Sequence, residues 1–456
     1  MCRCKLACFR LTRVTICALA VLAIVAALGG AASAQTTGVT GFYGAVGGVS
    51  VDANGLLRDP TVDEQGQLRR VMAGAIQKVP DGFRNVNHLR KVSLVRLDAA
   101  LQKAMAEGRP LSDAVLYLAG LQQIRYVLVY PEKKDIVLAG PAEGWKLDPR
   151  GNVVGAASGW PVMLLDDLLT AIRAASRPQR AVITCSIDPT AEGLMRVRRA
   201  GRALSAGDPE GSARIVEEQL GAQKVSFGGV PEGSHFARVL VAADYRMKRI
   251  SMGLEPSPVA GLPSFVQLMP AGGGVRNMLP RWWLAPDYRP LLRDPEGLAW
   301  ELRGAAVKAM AESDFYNASG MREKTAPADA VSQKWADALS RHYPALAKAE
   351  PAFARLRNCI DLAIVGALLA QENLAAKAGC RLPALSEPGI IDPVTLPAPK
   401  QIDSQANPVH KRKWMVIAGG VAINPWEMVH GAEPSAEIEP VRTASASADE
   451  TAWWWD

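Results

Sequence analysis

Residues 234–253 constrain the fold more than any other stretch of the chain. With Phe236 as origin, apolar residues recur at Val239, Leu240, Ala243, Met247 and Ile250, one stripe of a 3.6-residue period. Ser234 can accept a free amide of the first turn, and Gly253 suits the left-handed position after the last. The opposite strip carries Arg238, Tyr245 and Arg249, and Asp244 and Lys248 stand four apart. The pattern predicts a core helix with a solvated basic back. A sharper reading has Arg238, Arg246 and Arg249 bind an anion or an acidic partner, because guanidinium forks match carboxylate and phosphate.

This helix lies inside 224–300, where strand, helix, loop and strand pair follow in quick succession. KVSFGGV (224–230) reads as a strand, and LLRDPEGLAWEL as a hairpin. Between Leu254 and Leu279 a Pro/Gly-rich segment with Gly272-Gly273-Gly274 reads as a disordered loop or a flap. It leads to Trp282-Trp283. Adjacent strand residues face opposite sides, so one indole is expected inside and the other is free to be exposed. They are either packing tryptophans, or one of them stacks on a sugar or peptide.

The N-terminus carries Arg3, Lys5, Arg10 and Arg13, an apolar run from Val14 to Leu28, and Ala32-Ser33-Ala34. That is the pattern of a cleavable export signal, with cleavage expected after Ala34; the alternative is an uncleaved anchor. Cys17 does not suit lipidation, because the apolar run continues after it. Residues 1–34 hold four of the 52 basic residues and no acidic ones, so the remainder has 48 against 45, a net of +3. Such a balance gives no reason to expect nucleic acid. Cys185, Cys359 and Cys380 remain. A helix from Cys359 to about Lys377 would rise roughly 27 Å, which predicts no Cys359–Cys380 bridge.

Three D-x-x-G segments, Asp52–Gly55, Asp148–Gly151 and Asp294–Gly297, stand between apolar runs and predict three hairpins. They lack the further acids of a calcium loop. RYVLVY and DIVLAG predict another hairpin, buried on both faces. Ser93 opens one helix, Pro161–Ala175 forms a second, and Thr190 caps a third. Residues 330–342 form a helix broken at Tyr343-Pro344, and Pro351 starts a longer one. WMVIAGGVAINPWEM (414–428) reads as a closing hairpin. The expected class is α+β: two mixed lobes of antiparallel hairpins covered by helices, plus a C-terminal helical pair. The expected boundaries are a signal (1–34), an N-terminal lobe (35–177), a central lobe (178–325), a helical segment (326–382), a linker with the closing hairpin (383–432) and a disordered tail (433–456).

LAGLQQIRYVLVYP with DIVLAGPAEGW, GSHFARVLVAADYRMKRI, PRWWLAPDY and LAWELRG resemble an uncharacterised family of exported planctomycete proteins, classed as a domain of unknown function. The resemblance runs from about residue 45 to about residue 430. It implies export, and it carries over no activity, cofactor or catalytic residue.

The sequence holds no H-E-x-x-H, no P-loop, no G-x-G-x-x-G and no G-x-S-x-G. No cofactor or metal is expected. His235, beside Glu232 and Ser234 at the start of the central helix, is the best of the five histidines for chemistry; its plainer reading is a surface histidine near a cap. The favoured function is a non-enzymatic exported binding or envelope-structural protein, using His235, Arg238, Arg246, Arg249, Trp282 and Trp283. Its expected partners are an envelope protein or a cell-surface ligand, with no membrane span left after signal removal. The rival is an exported hydrolase with an inter-lobe cleft in which His235 faces a carboxylate beneath Trp282 or Trp283.

Overall fold

The computed structural model describes residues 45–46, 49–51, 55–58 and 79–456, apart from 149–150, 178, 202–203, 205–206, 271–279, 305, 317–321, 328–329, 407–416, 448 and 450. The expected signal and the Gly272-Gly273-Gly274 segment lie outside the described residues. Residues 42–456 cluster as one unit of α+β class. Among the described residues no helix is long and apolar enough to cross a membrane.

Ten strands make one sheet. In spatial order they are Ala45–Val46, Val49–Val51, Leu56–Arg58, Gln401–Ile402, Gln223–Gly228, Ile183–Asp188, Ala418–Ile423, Pro280–Pro286, Val307–Tyr316 and Arg322–Pro327. The expected hairpin at 414–428 is instead a single strand near the sheet's middle, antiparallel to 183–188 and parallel to 280–286, followed by the helix Pro425–His430. Its glycines allow this placement. A Cβ on Gly420 would sit 1.8 Å from the Cys185 carbonyl oxygen, and one on Gly419 would sit 1.9 Å from that of Trp282.

The second sheet has seven strands: Glu433–Pro434, Arg289–Arg293, Ala299–Arg303, Tyr126–Tyr130, Asp135–Ala142, Asn87–Ser93 and Trp454–Trp455. Both sheets draw strands from either side of Arg177-Pro178, the expected lobe boundary. All three D-x-x-G hairpins form, with pairs Val51↔Leu57, Trp145↔Gly155 and Arg293↔Trp300. Gly55, Gly151 and Gly297 have φ of 78°, 80° and 65°, the left-handed conformation that glycine adopts without strain.

The YVLVY strand is buried along its whole length, as expected. Val127, Val129, Ile136 and Leu138 face the main core. Tyr126, Leu128, Tyr130, Val137 and Ala139 face the other way and pack with Ile438, Val441 and Trp455. Residues 433–456 were expected to be a disordered tail. They instead contribute two short strands, a turn of helix at Ala436–Ile438 and the helix Glu439–Ala444. A sheet face that is apolar on both sides needs a cover, and this segment supplies it.

Five helices supply most of the rest of the main core: α1 (Leu94–Ala106), α2 (Leu165–Ala175), α3 (His235–Met252), α4 (Ala330–Ala349) and α5 (Pro351–Gln371). Ser93 caps α1 by accepting from the Arg96 amide. The second helix starts at Leu165, not Pro161; Pro161 instead bridges to Val154. α3 has the expected ends, with Ser234 accepting from the Ala237 amide and Gly253 at φ 69°. Its back is not solvated. Strands 183–188 and 418–423 pack on α3, and so does α5, so Arg238, Asp244, Tyr245 and Lys248 are all buried. α4 runs through Pro344 without breaking, held by buried Tyr343 and Leu346 beside it. α5 ends at Gln371, before Asn373 at φ 51°. Cys185, Cys359 and Cys380 are all free thiols.

Candidate functional site

Ser234 fixes His235 as the first residue of α3. Its Nδ1 lies 2.9 Å from both carboxylate oxygens of Asp167, which stands in the first turn of α2. Its Nε2 lies 3.2 Å from Nη1 of Arg355 on α5. One arrangement satisfies both contacts: a neutral ring that donates from Nδ1–H to Asp167 and accepts at Nε2 from the guanidinium. His235 is 2% exposed, so the surface-histidine reading is corrected. It does face a carboxylate, but both ring nitrogens are engaged and neither is left for a substrate. Cys359, one turn beyond Arg355, is fully buried, and burial pushes its thiol well above the ordinary range. That holds it as the unreactive thiol.

The three arginines are tied to internal partners. Arg238 donates to the Pro397 carbonyl, and burial lowers its pKa. Arg246 bridges Glu255 and Glu350, each at 2.8 Å. Arg249 bonds to Glu255, the Tyr245 hydroxyl and Gln405, and its guanidinium lies 5.5 Å from the Tyr245 ring centroid. They tie α3 to the loop after it, to the 397–405 segment and to the α4–α5 junction.

The two indoles face opposite sides, as the strand requires. Trp282 is fully buried against Phe265 and Trp335 and donates to the Ser332 carbonyl. Trp283 is half-buried, donates to Glu312, and lies under the Arg281 guanidinium at 5.4 Å.

A groove of about 710 Å³ opens beside the start of α3, one residue before His235. One wall is the last turn of α2 with Thr170, Ala174, Ser176 and Arg177; another is Pro231–Ser234. The third is the 386–395 segment, where Pro388, Pro393, Val394 and Thr395 face the space. Arg173 holds that segment in place. Its guanidinium bonds to Asp392 and to the carbonyls of Ala384, Leu385, Glu387 and Ile391. The Leu396 amide donates to the Gly233 carbonyl, locking the segment to the start of α3. A Cβ on Gly233 would sit 2.8 Å from the Leu396 carbonyl oxygen. Arg177 is exposed at the rim and has no side-chain partner among the described residues.

The groove joins none of the six candidates read from sequence. In sequence Arg177 stands at the expected lobe boundary, and the far wall falls within the expected linker that begins at residue 383. The usable signal was the prolines themselves. Segments rich in proline have few backbone conformations and make stiff walls when anchored.

A family model described as "Protein of unknown function (DUF1598)" matches residues 185–265. That segment runs from the 183–188 strand through α3 and includes Pro231, Gly233, Ser234 and His235. No curated protein and no solved structure matches the chain.

Proposed function

We propose that this is an exported binding protein whose ligand occupies the groove between α2, the start of α3 and the 386–395 segment. The observation that carries the reading is the groove itself. Its volume of about 710 Å³ lies within the range of small-molecule sites, its walls are largely apolar, and one exposed guanidinium stands at its rim. The ligand class is a compact apolar body bearing one carboxylate or phosphate for Arg177, with Ser176 and Thr395 near enough to the same space to orient it. Export is supported by the basic, apolar and Ala-Ser-Ala pattern of residues 1–34 and is tested by finding Gln35 as the mature N-terminus. The hydrolase reading has less support, because the His235 imidazole is enclosed and bonded on both sides.

The test is a thermal-shift screen of the full chain against cell-wall fragments, acidic peptides, sugars and nucleotides. A ligand of the native state raises Tm by mass action. The expected hit is anionic, is lost in Arg177→Ala and is blocked by Thr395→Trp, while the unliganded Tm of both variants stays near wild type. A hit that survives both substitutions places binding elsewhere.

A further inference from the structure

The edge of the seven-stranded sheet at Asn87–Ser93 is occupied by residues 453–456 in the manner of a bound peptide. Trp454 pairs with Val92 and Trp455 with Lys91, antiparallel. The Ser93 amide donates to the Trp453 carbonyl at 2.9 Å. The Trp454 ring lies 4.1 Å from the Phe83 ring centroid, over Gly82, where a Cβ would meet the indole at 3.1 Å. Arg90 stacks over the same indole at 5.1 Å. It also grips Asp456 with both arms of its fork, at 2.5 and 2.9 Å.

Arg90 makes this edge selective. Its side chain is 0% exposed. Its other contacts are carbonyl oxygens of Phe83, Asn85 and Ala119, which bring no negative charge. With Asp456 withdrawn, a buried guanidinium would lack its counter-ion, a costly arrangement. The edge therefore demands a carboxylate two residues after an aromatic ring, on the same face of the added strand. What leads into the segment is read through its backbone: Arg96 donates to the Asp449 and Ala452 carbonyls, and Lys133 to that of Ser447. Those contacts accept other side chains. The strand itself pairs at only two positions, and all three tryptophans stay partly exposed.

We propose that this edge is a docking site for an extended segment of another protein, of the form aromatic–x–acid, and that residues 453–456 are its resident competitor. Backbone pairing gives the added strand its affinity, while the Gly82–Phe83 platform and Arg90 give it specificity. The site is separate from the groove beside α3 and stands whether or not that groove binds a ligand.

The experiment uses the full chain carrying Trp454→Ala and Asp456→Asn, in which the resident segment loses both anchors. A fluorescein-labelled, carboxy-amidated peptide TAWWWD, matching residues 451–456, is titrated against it and followed by anisotropy. The expected result is saturable binding at least about tenfold tighter than to the wild-type chain, where the resident segment competes. The same peptide carrying Asp456→Asn should bind the doubly substituted chain about thirtyfold more weakly, or not at all. Equal affinity for both chains, no saturable binding to the doubly substituted chain, or equal binding of the two peptides overturns the proposal. The acid is varied on the peptide, so the outcome does not depend on whether a chain altered at buried Arg90 folds.

Discussion

Near the middle of the ten-stranded sheet, the 418–423 strand lies between two neighbours and beneath α3, with Val421 and Ile423 fully buried. Over the outer face of the seven-stranded sheet, residues 433–456 lie as a thin cover with two paired residues at each edge. The first closure is interior to the main core. The second rests on a few anchors: Ile438, Val441, the tryptophans, and Arg90 on Asp456. The difference teaches that a buried strand and a covering segment can both complete a sheet, and it predicts that the covering segment, held by fewer contacts, opens before the rest unfolds.

The strongest way to break this comparison is Gly420→Ala. Its Cβ would overlap the Cys185 carbonyl in a layer with no room to shift, so the expected cost is more than about 4 kcal/mol. The reading is soluble yield and a urea denaturation midpoint; a near-native midpoint would show that the interior closure is looser than described. Trp282→Ala comes next, at about 3–5 kcal/mol for a large core side chain lost from the Phe265–Trp335 stack. Asp456→Asn should cost less, about 1–3 kcal/mol, because the carboxylate is partly solvated. Its effect should be local: faster hydrogen exchange at the Ser93 amide and across 445–456, with the protection of α3 unchanged. If α3 amides accelerate equally, the cover is not a separate unit.

A subtler contrast comes from pH. Burial lifts the Asp244 carboxyl to about 7, against the pull of Lys248, and lifts Asp361 to about 6. Both lie in the main core, and for each the folded chain favours the protonated form relative to the unfolded chain. The stability tied to these groups is therefore full below about pH 4 and is lost as pH rises through 6 to 7. Asp244→Asn should flatten the fall in denaturation midpoint between pH 4 and pH 7, even though it lowers the midpoint itself by weakening the anchor of Lys248. An unchanged slope would mean that Asp244 stays ionised throughout. The smallest expected stability effect is that of Arg177→Ala, within about 0.5 kcal/mol, because the guanidinium is exposed at the groove rim.

Legibility in the sequence followed the range of the interactions involved. The period and caps of α3, the Ser93 cap and the three D-x-x-G hairpins depend on residues within a few positions of one another, and all are present. Coverage was harder to read. Asp244 and Lys248 have the spacing of an exposed helical pair, yet Lys248 also donates to the Ile187 and Gly419 carbonyls, and these come from distant strands. Residues 433–456 look disordered by composition, being polar and rich in Ser and Ala. They fold by docking on Arg90, Phe83 and Tyr130, contacts that local pattern cannot reveal. His235 showed its position in a helix but not its enclosure, because Asp167 and Arg355 arrive from two other helices. The groove stayed hidden for the same reason. Its walls are two segments that read separately as a boundary and a linker.

The place of the 418–423 strand also sets a schedule. Strands 183–188 and 280–286 never touch as neighbours; the late strand joins them. A chain emerging from the ribosome, or threading through a pore from its N-terminus, lacks that joint until residue 423 is free. Until then the two halves of the large sheet present open edges towards each other, and the sheet must wait for a strand that lies far along the chain from those it joins.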